Sequence, residues 1–242
     1  MEYILPIEIW QVLLDQVDFL SQIRFTMVCK YFHQSLRVTD FMNIDNKYLK
    51  LLSDDILKNY PYIVKLNANK NEKITNVNHM KHLKELRAHA SGIGNEGIKD
   101  CDLVILNACN NKKITNVNHL TQLKELNASD DCGIGDDGIK ECDLVILDAN
   151  FNKKITNVNH MKNLKELYAF YDCGIGDDGI KECDLLILDA NRNKKITNVN
   201  HMKNLKELYA SGECGIGDGG IKDCDLVILE AFCNNKITKV ND

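Results

Sequence analysis

The sequence predicts an α/β protein: a small helical domain, then a solenoid of parallel β-strands. The strands are expected on the concave face, with short turns or 3₁₀ segments on the convex face. Three observations predict this. Ile74, Ile114, Ile155, Ile196 and Ile237 head near-copies of one segment, at intervals of 40, 41, 41 and 41 residues. A strict internal period marks a solenoid. Within each copy, Leu and Ala alternate with period two, as in a short strand with one buried face. Upstream of about residue 53 the period stops, and apolar residues follow helical spacing instead.

The helical part comes first. Pro6 suits the start of a helix, where a missing N–H costs nothing. Ile9, Trp10, Leu13, Leu14 and Val17 follow at helical spacing. Phe19, Leu20, Ile23, Met27 and Val28 mark a second helix, and Phe32 and Leu36 a third. Residues 1–40 therefore read as one small helical domain. So many apolar groups in so short a segment cannot all be buried in their own core, and some should meet a partner. Residues 41–62 read as a connector and N-terminal cap.

Residues 63–242 read as about nine units of 20–21 residues. Their leading residues are Ile63, Leu83, Leu103, Leu123, Leu144, Leu164, Leu185, Leu205 and Leu226. One half-repeat reads Leu144-x-x-Leu147-x-Ala149-x-x-Asn152-x-x-Ile155. The other reads Leu164-x-x-Leu167-x-Ala169-x-x-Asp172-Cys173-x-Ile175. Such a unit is too short for a crossover helix, so its return path is expected to be extended, turn-like or 3₁₀. Asn71, Asn111, Asn152, Asn193 and Asn234 recur at position 9, where an amide can bond the backbone as the chain leaves the strand. The repeat resembles leucine-rich repeats, and the Cys-Gly-Ile-Gly half is similar to their cysteine-containing subtype, in a shorter form.

Composition narrows the function. A net charge of -5 speaks against nucleic acid as a partner. No apolar run approaches a membrane span, and no secretory signal follows Met1-Glu2-Tyr3. A cytoplasmic location is expected, with the nucleus as the alternative. Ten cysteines fit a reducing compartment. Cys101, Cys142, Cys183 and Cys224 form one column and Cys132, Cys173 and Cys214 another. Column neighbours two units apart are separated by about 10 Å, beyond the ~7 Å reach of a disulfide. They are read as buried thiols, with no metal. The heavy use of Asn, Lys and Ile and the near-perfect copies are similar in style to chains of large DNA viruses of amoebae, which would place the protein in a host cytoplasm.

The first forty residues resemble the F-box. The matching residues are Leu5, Pro6, Glu8, Ile9, Leu20, Val28, Cys29, Lys30 and Phe32. They follow the pattern L-P-x-E-I, a mid-motif Leu, then V-C-K and an aromatic. Two positions depart from it: Val17-Asp18-Phe19 stands where a Pro is usual, and Phe32 stands for the commoner Trp. The resemblance implies docking onto the Skp adaptor of a cullin–RING ubiquitin ligase, while the repeats hold a protein substrate. No catalytic residue and no cofactor are implied, because the contribution is proximity. The alternatives are a helical cap on a non-ligase interaction scaffold, or a viral-type decoy that titrates the adaptor.

The repeats themselves point to a substrate surface. The unit pairs 114–154 and 155–195 differ at eight positions, among them Asn127/Tyr168, Ser129/Phe170, Asp130/Tyr171 and Phe151/Arg192. These four fall at positions 5, 7 and 8 of the unit, at or just after the strand. Phe151, Tyr168, Phe170, Tyr171, Tyr209 and Phe232 are expected to form an aromatic stripe on the concave face, with Arg192 beside it. Arg87 and His89, with Lys65 and Lys70, would make a basic patch earlier in the array. Asp148, Asp189 and Glu230 would make an acidic row later, suited to a partly basic partner.

Other motifs are explained by the repeat. Gly133-Ile134-Gly135-Asp136-Asp137-Gly138 fits G-x-G-x-x-G but lacks the βαβ frame of a dinucleotide site, and reads as a tight turn. His79, His119, His160 and His201 form a column spaced too widely to share a metal, and read as solvated or capping residues. No nucleophile–base pair emerges, so the chain is read as a non-catalytic adaptor.

Overall fold

The structure, a computed structural model, describes residues 5–238. The reading of Met1-Glu2-Tyr3 as lacking a leader lies outside the described residues. The chain divides into two compact units, Met1–Leu103 and Val104–Asp242.

The first unit opens with three short helices, α1 (Ile7–Leu14), α2 (Phe19–Thr26) and α3 (Lys30–Ser35). Pro6 occupies the N-cap of α1. Asp18 caps α2, accepting from the Ser21 backbone N–H at 3.1 Å and its hydroxyl at 2.6 Å. Cys29 caps α3 through its sulfur, which accepts from the Phe32 N–H at 3.5 Å. Inside this cluster Trp10 lies 5.8 Å from Phe25 and 5.1 Å from Phe32, ring to ring, and Phe25 stacks on Phe32 at 5.1 Å.

A strand follows that the repeat pattern does not announce. β1 (Asp40–Phe41) pairs in parallel with β2 (Lys65–Asn67), with Phe41 opposite Leu66, and β2 pairs with β3 (Glu85–Arg87). Phe19 of α2 meets Phe41 edge-on at 4.9 Å, and Leu14 and Leu36 are buried. The Gln11 amide clamps the Arg37 backbone, donating to its carbonyl and accepting from its N–H, both at 2.9 Å. The helices thus pack directly on the start of the sheet. Between β1 and β2 lie two single helical turns, α4 (Asn46–Leu49) and α5 (Asp54–Leu57), and α6 (Asn95–Ile98) follows β3.

The second unit is a parallel-strand solenoid. Its strands are β4 (Ile105–Asn107), β5 (Glu125–Asn127), β6 (Ile146–Asp148), β7 (Glu166–Tyr168), β8 (Ile187–Asp189), β9 (Glu207–Tyr209) and β10 (Ile228–Glu230). Each pairs in parallel with the next, Leu opposite Leu. The predicted Leu and Ala columns point inward: Leu144, Leu147, Leu167, Ala149 and Ala169 are buried. Each Leu so buried contributes roughly 2 kcal/mol that one unit alone could not secure.

Asparagine ties one repeat to the next. Asn152 donates to the Ala128 carbonyl at 2.6 Å and the Ile134 carbonyl at 3.1 Å, and accepts from the Lys154 N–H at 2.8 Å. Asn193 and Asn234 repeat the pattern. On the return side, where an extended, turn-like or 3₁₀ path is expected, alternate repeats carry a single α-helical turn: α7 (Asp136–Ile139), α8 (Asp177–Ile180) and α9 (Asp218–Ile221). Asp136 secures its turn by accepting from the Thr156 N–H at 2.7 Å and hydroxyl at 2.6 Å. Gly138 must be glycine there, because a Cβ would sit 2.1 Å from the Thr115 carbonyl oxygen.

The recurring histidines bond the carbonyls that end these turns. His160 Nε2 lies 3.0 Å from the Ile139 oxygen, and His201 Nε2 3.0 Å from that of Ile180. Among the described residues, no helix is long and apolar enough to cross a membrane.

Candidate functional site

Seven strands in register present their odd side chains outward, and this decides what surface the second unit offers. Positions 3 and 5 flank each buried Leu, so they lie on the open face of the sheet. There Glu166 and Tyr168 stand on β7, and Glu207 and Tyr209 on β9; each Tyr hydroxyl donates to its own strand's Glu at 3.1 Å. Asp148 and Asp189 stand opposite Tyr168 on β6 and β8, and Asp189 also opposite Tyr209. Burial pushes the Asp148 carboxyl above the usual range, and the charges of Asp130 and Asp189 add to it. Burial does the same to Asp189, with Glu230 contributing. The expected acidic row therefore exists on this face, and its members repel one another.

Just beyond the strands the backbone does something the repeat does not advertise. Position 8 is left-handed in every repeat of the unit: Asn110 (φ 51), Asp130 (58), Phe151 (59), Tyr171 (61), Arg192 (57), Gly212 (67) and Cys233 (57). The reason is a continuing ladder. The position-8 N–H turns to donate to the position-7 carbonyl of the following repeat, from Tyr171 to Asn191 at 2.8 Å and from Arg192 to Ser211 at 2.9 Å. For a bulky side chain this is an unfavourable region. No sequence signal marks it, because only Gly212, Asn110 and Asp130 are residues that suit it.

The expected aromatic stripe resolves into parts. Phe151, Phe170 and Tyr171 form one cluster, with ring centroids 5.1–5.8 Å apart. Arg192 and Tyr171 line a depression of about 580 Å³ beside it. Tyr168 and Tyr209 lie on the sheet face, each held by its Glu. Phe232 is 82% exposed and is in no ring contact among the described residues. In the first unit, Arg87 and Lys65 share one carboxylate, Glu85, at 3.8 and 3.6 Å, which neutralises part of the expected basic patch. The His89 N–H donates to Asn69 at 3.0 Å.

The other candidate surface is the helical cluster of the first unit. Of the residues singled out there, Leu5, Pro6, Glu8, Ile9, Val28, Cys29 and Lys30 are exposed, while Leu20 and Phe32 are half-buried. Phe32 serves the cluster's interior against Trp10 and Phe25. Leu5 (43%), Ile9 (46%) and Val28 (69%) are open to solvent, as are Val12, Leu13 and Met27. Large apolar side chains left open on one small helical cluster suit a protein-binding face.

Among the described residues no disulfide joins the cysteines. Burial raises the thiols of Cys142, Cys173 and Cys183 to about 11, which makes them poor nucleophiles. Among the described residues no cluster of His, Cys, Asp and Glu is arranged to hold a metal. No family model matches this chain, and no curated protein is significantly similar to it.

Proposed function

We propose that this chain is the substrate-recognition subunit of a Skp–cullin–F-box ubiquitin ligase. The helical cluster docks the Skp adaptor, and the strand face with its exit loops binds a protein substrate. The observation that carries this reading is the exposure of Leu5, Ile9 and Val28, three apolar residues of the F-box-like pattern. Asp18 supports it: where the family usually has Pro, its carboxylate caps α2 and so starts the second helix by other means. The chain itself performs no chemistry in this reading. It acts by raising the local concentration of a substrate near the ligase. Its acidic, tyrosine-bearing sheet face suits a partly basic substrate surface.

The test is capture of the intact chain by a purified Skp adaptor, beside a Leu5→Ala/Pro6→Ala variant. Binding by the parent and loss in the variant are expected. Absence of binding by the parent overturns the ligase reading.

One observation favours a second reading. Phe19 packs on Phe41 of β1, and Gln11 clamps Arg37. These contacts make the helices a cap for the first strand, as a free-standing scaffold needs. Adaptor binding separates ligase coupling from such a scaffold; a decoy that titrates the adaptor would bind it yet leave the bound client unmodified, so adaptor-dependent ubiquitination separates productive coupling from titration.

A further inference from the structure

Position 8 of the repeat needs no side chain. Gly212 makes the same ladder bond as its neighbours, donating to the Phe232 carbonyl at 2.8 Å. Glycine is also the residue that this backbone accepts without strain. Yet three consecutive repeats place Phe151, Tyr171 and Arg192 there, at φ 59, 61 and 57. Strain kept where an unstrained residue would serve points to a use for the side chains.

Those side chains converge. The Phe151 and Tyr171 rings are 5.1 Å apart and both are more than 40% exposed. Tyr171 and Arg192 border the same depression. The charges around Arg192 are already matched. Lys194 pairs with Glu213 and Lys153 with Asp172, each at 2.5 Å, and Lys195 Nζ donates to the Cys173 carbonyl at 2.9 Å. Arg192 is in no ion pair or side-chain hydrogen bond among the described residues; its charge reaches Glu213, but that carboxylate is paired with Lys194. A guanidinium with no carboxylate paired to it, one repeat along from open rings, is complementary to a carboxylate near a large apolar side chain.

We propose that Phe151, Phe170, Tyr171 and Arg192 form a docking site for an extended protein segment that carries a large apolar side chain next to an Asp or Glu. The apolar side chain covers the rings, and the carboxylate takes the two parallel N–H groups of Arg192. This rests on the reading of the strand-exit side as the client surface, and is independent of adaptor docking.

The probe is a fluorescein-labelled Gly/Ser peptide containing two Phe-Asp pairs, titrated against the full chain by anisotropy. Versions with Phe-Asn, Phe-Lys and Ala-Asp pairs are run beside it. Saturable binding of the Phe-Asp peptide is expected, weakened about fivefold or more by Asn, Lys or Ala. Arg192→Glu and Tyr171→Ser should each reduce it about tenfold, with circular dichroism and melting showing that both variants fold. If Tyr171→Ser unfolds, Arg192→Gln, at an exposed position, carries the test. No binding of the Phe-Asp peptide, or equal binding of the Phe-Lys peptide, overturns the proposal. Adaptor capture measured on the same preparation is read separately, so loss of one leaves the other standing.

Discussion

Arg192 lies across Gly212. A Cβ built on that glycine would stand 2.9 Å from Arg192 Cγ and 3.4 Å from its Nε. The glycine therefore does two things at once: it takes φ +67 without strain, and it leaves the floor on which the arginine rests. Gly212→Ala should cost about 1–2 kcal/mol, from the positive φ and from the displaced arginine. Gly219→Ala is the counterpart, because its added methyl meets nothing within 4 Å and it sits in α9. That change should be neutral or stabilise by up to about 1 kcal/mol. Urea unfolding of the two variants, with a loss expected for Gly212→Ala and none for Gly219→Ala, checks this.

The asparagine ladder should be worth more than its exposed counterparts. Asn193 is fully buried, donates to the Ala169 and Ile175 carbonyls, and accepts from the Lys195 and Ile196 N–H groups. Asn193→Ala leaves these groups buried without partners, at a cost of about 3 kcal/mol. Asn200 bonds the Gly219 carbonyl and the Asp223 N–H at an exposed site, where water can replace the amide. Asn200→Ala should cost about 1 kcal/mol or less. Equal losses in denaturant titrations would contradict a structural role specific to the buried column.

The acidic face gives a pH dependence. The folded-state pKa of Asp189 is raised above the ordinary 3.8, first by burial and then by Glu230. A carboxyl whose folded pKa is raised favours the folded state below the unfolded value and loses that contribution as pH rises through the folded value. Asp189→Asn keeps the acceptor for the Asn191 N–H and removes the charge. The variant should be more stable than the parent at about pH 7, with the difference closing by about pH 3. A gap that widens on acidification would refute the assignment.

Thiol reactivity should divide the cysteines by burial. Cys29 and Cys233 are exposed, whereas Cys142, Cys173 and Cys183 are buried with their pKa raised to about 11. At about pH 8 such a thiol is ionised only ~0.1% of the time, and it is covered as well. Mass spectrometry after brief alkylation should find Cys29 and Cys233 modified and these three intact until denaturant is added. Early labelling of Cys173 would mean that the repeat core opens readily.

Much of the fold was legible because a solenoid repeats one solution. Leu and Ala at period two predict strands, and the position-9 Asn column predicts the backbone bonds that Asn152 and Asn193 make. The missed elements are those that tertiary contacts impose. β1 has Phe41 in place of the repeat's Leu and pairs because its neighbour β2 offers an edge. The helical turn Asp136–Ile139 contains Gly138, a poor helix former, and is secured from outside by Thr156. The left-handed position 8 was illegible because Phe, Tyr, Arg and Cys occupy it, none of which signals positive φ. The surface variation at positions 5, 7 and 8 was visible. That it divides into an acidic sheet face and a separate ring cluster at the strand exits was not, because strand register and backbone hand together set the direction of each side chain.

We propose that the helical cluster docks a Skp adaptor. Calorimetric titration of the intact chain with a purified Skp adaptor tests it most directly, with Val28→Asp and Phe232→Asp beside the parent. Both positions are highly exposed, at 69% and 82%, so neither substitution should disturb folding. Saturable one-to-one binding is expected for the parent and for Phe232→Asp, with loss of binding in Val28→Asp. No heat of binding with the parent, or undiminished binding by Val28→Asp, would contradict it.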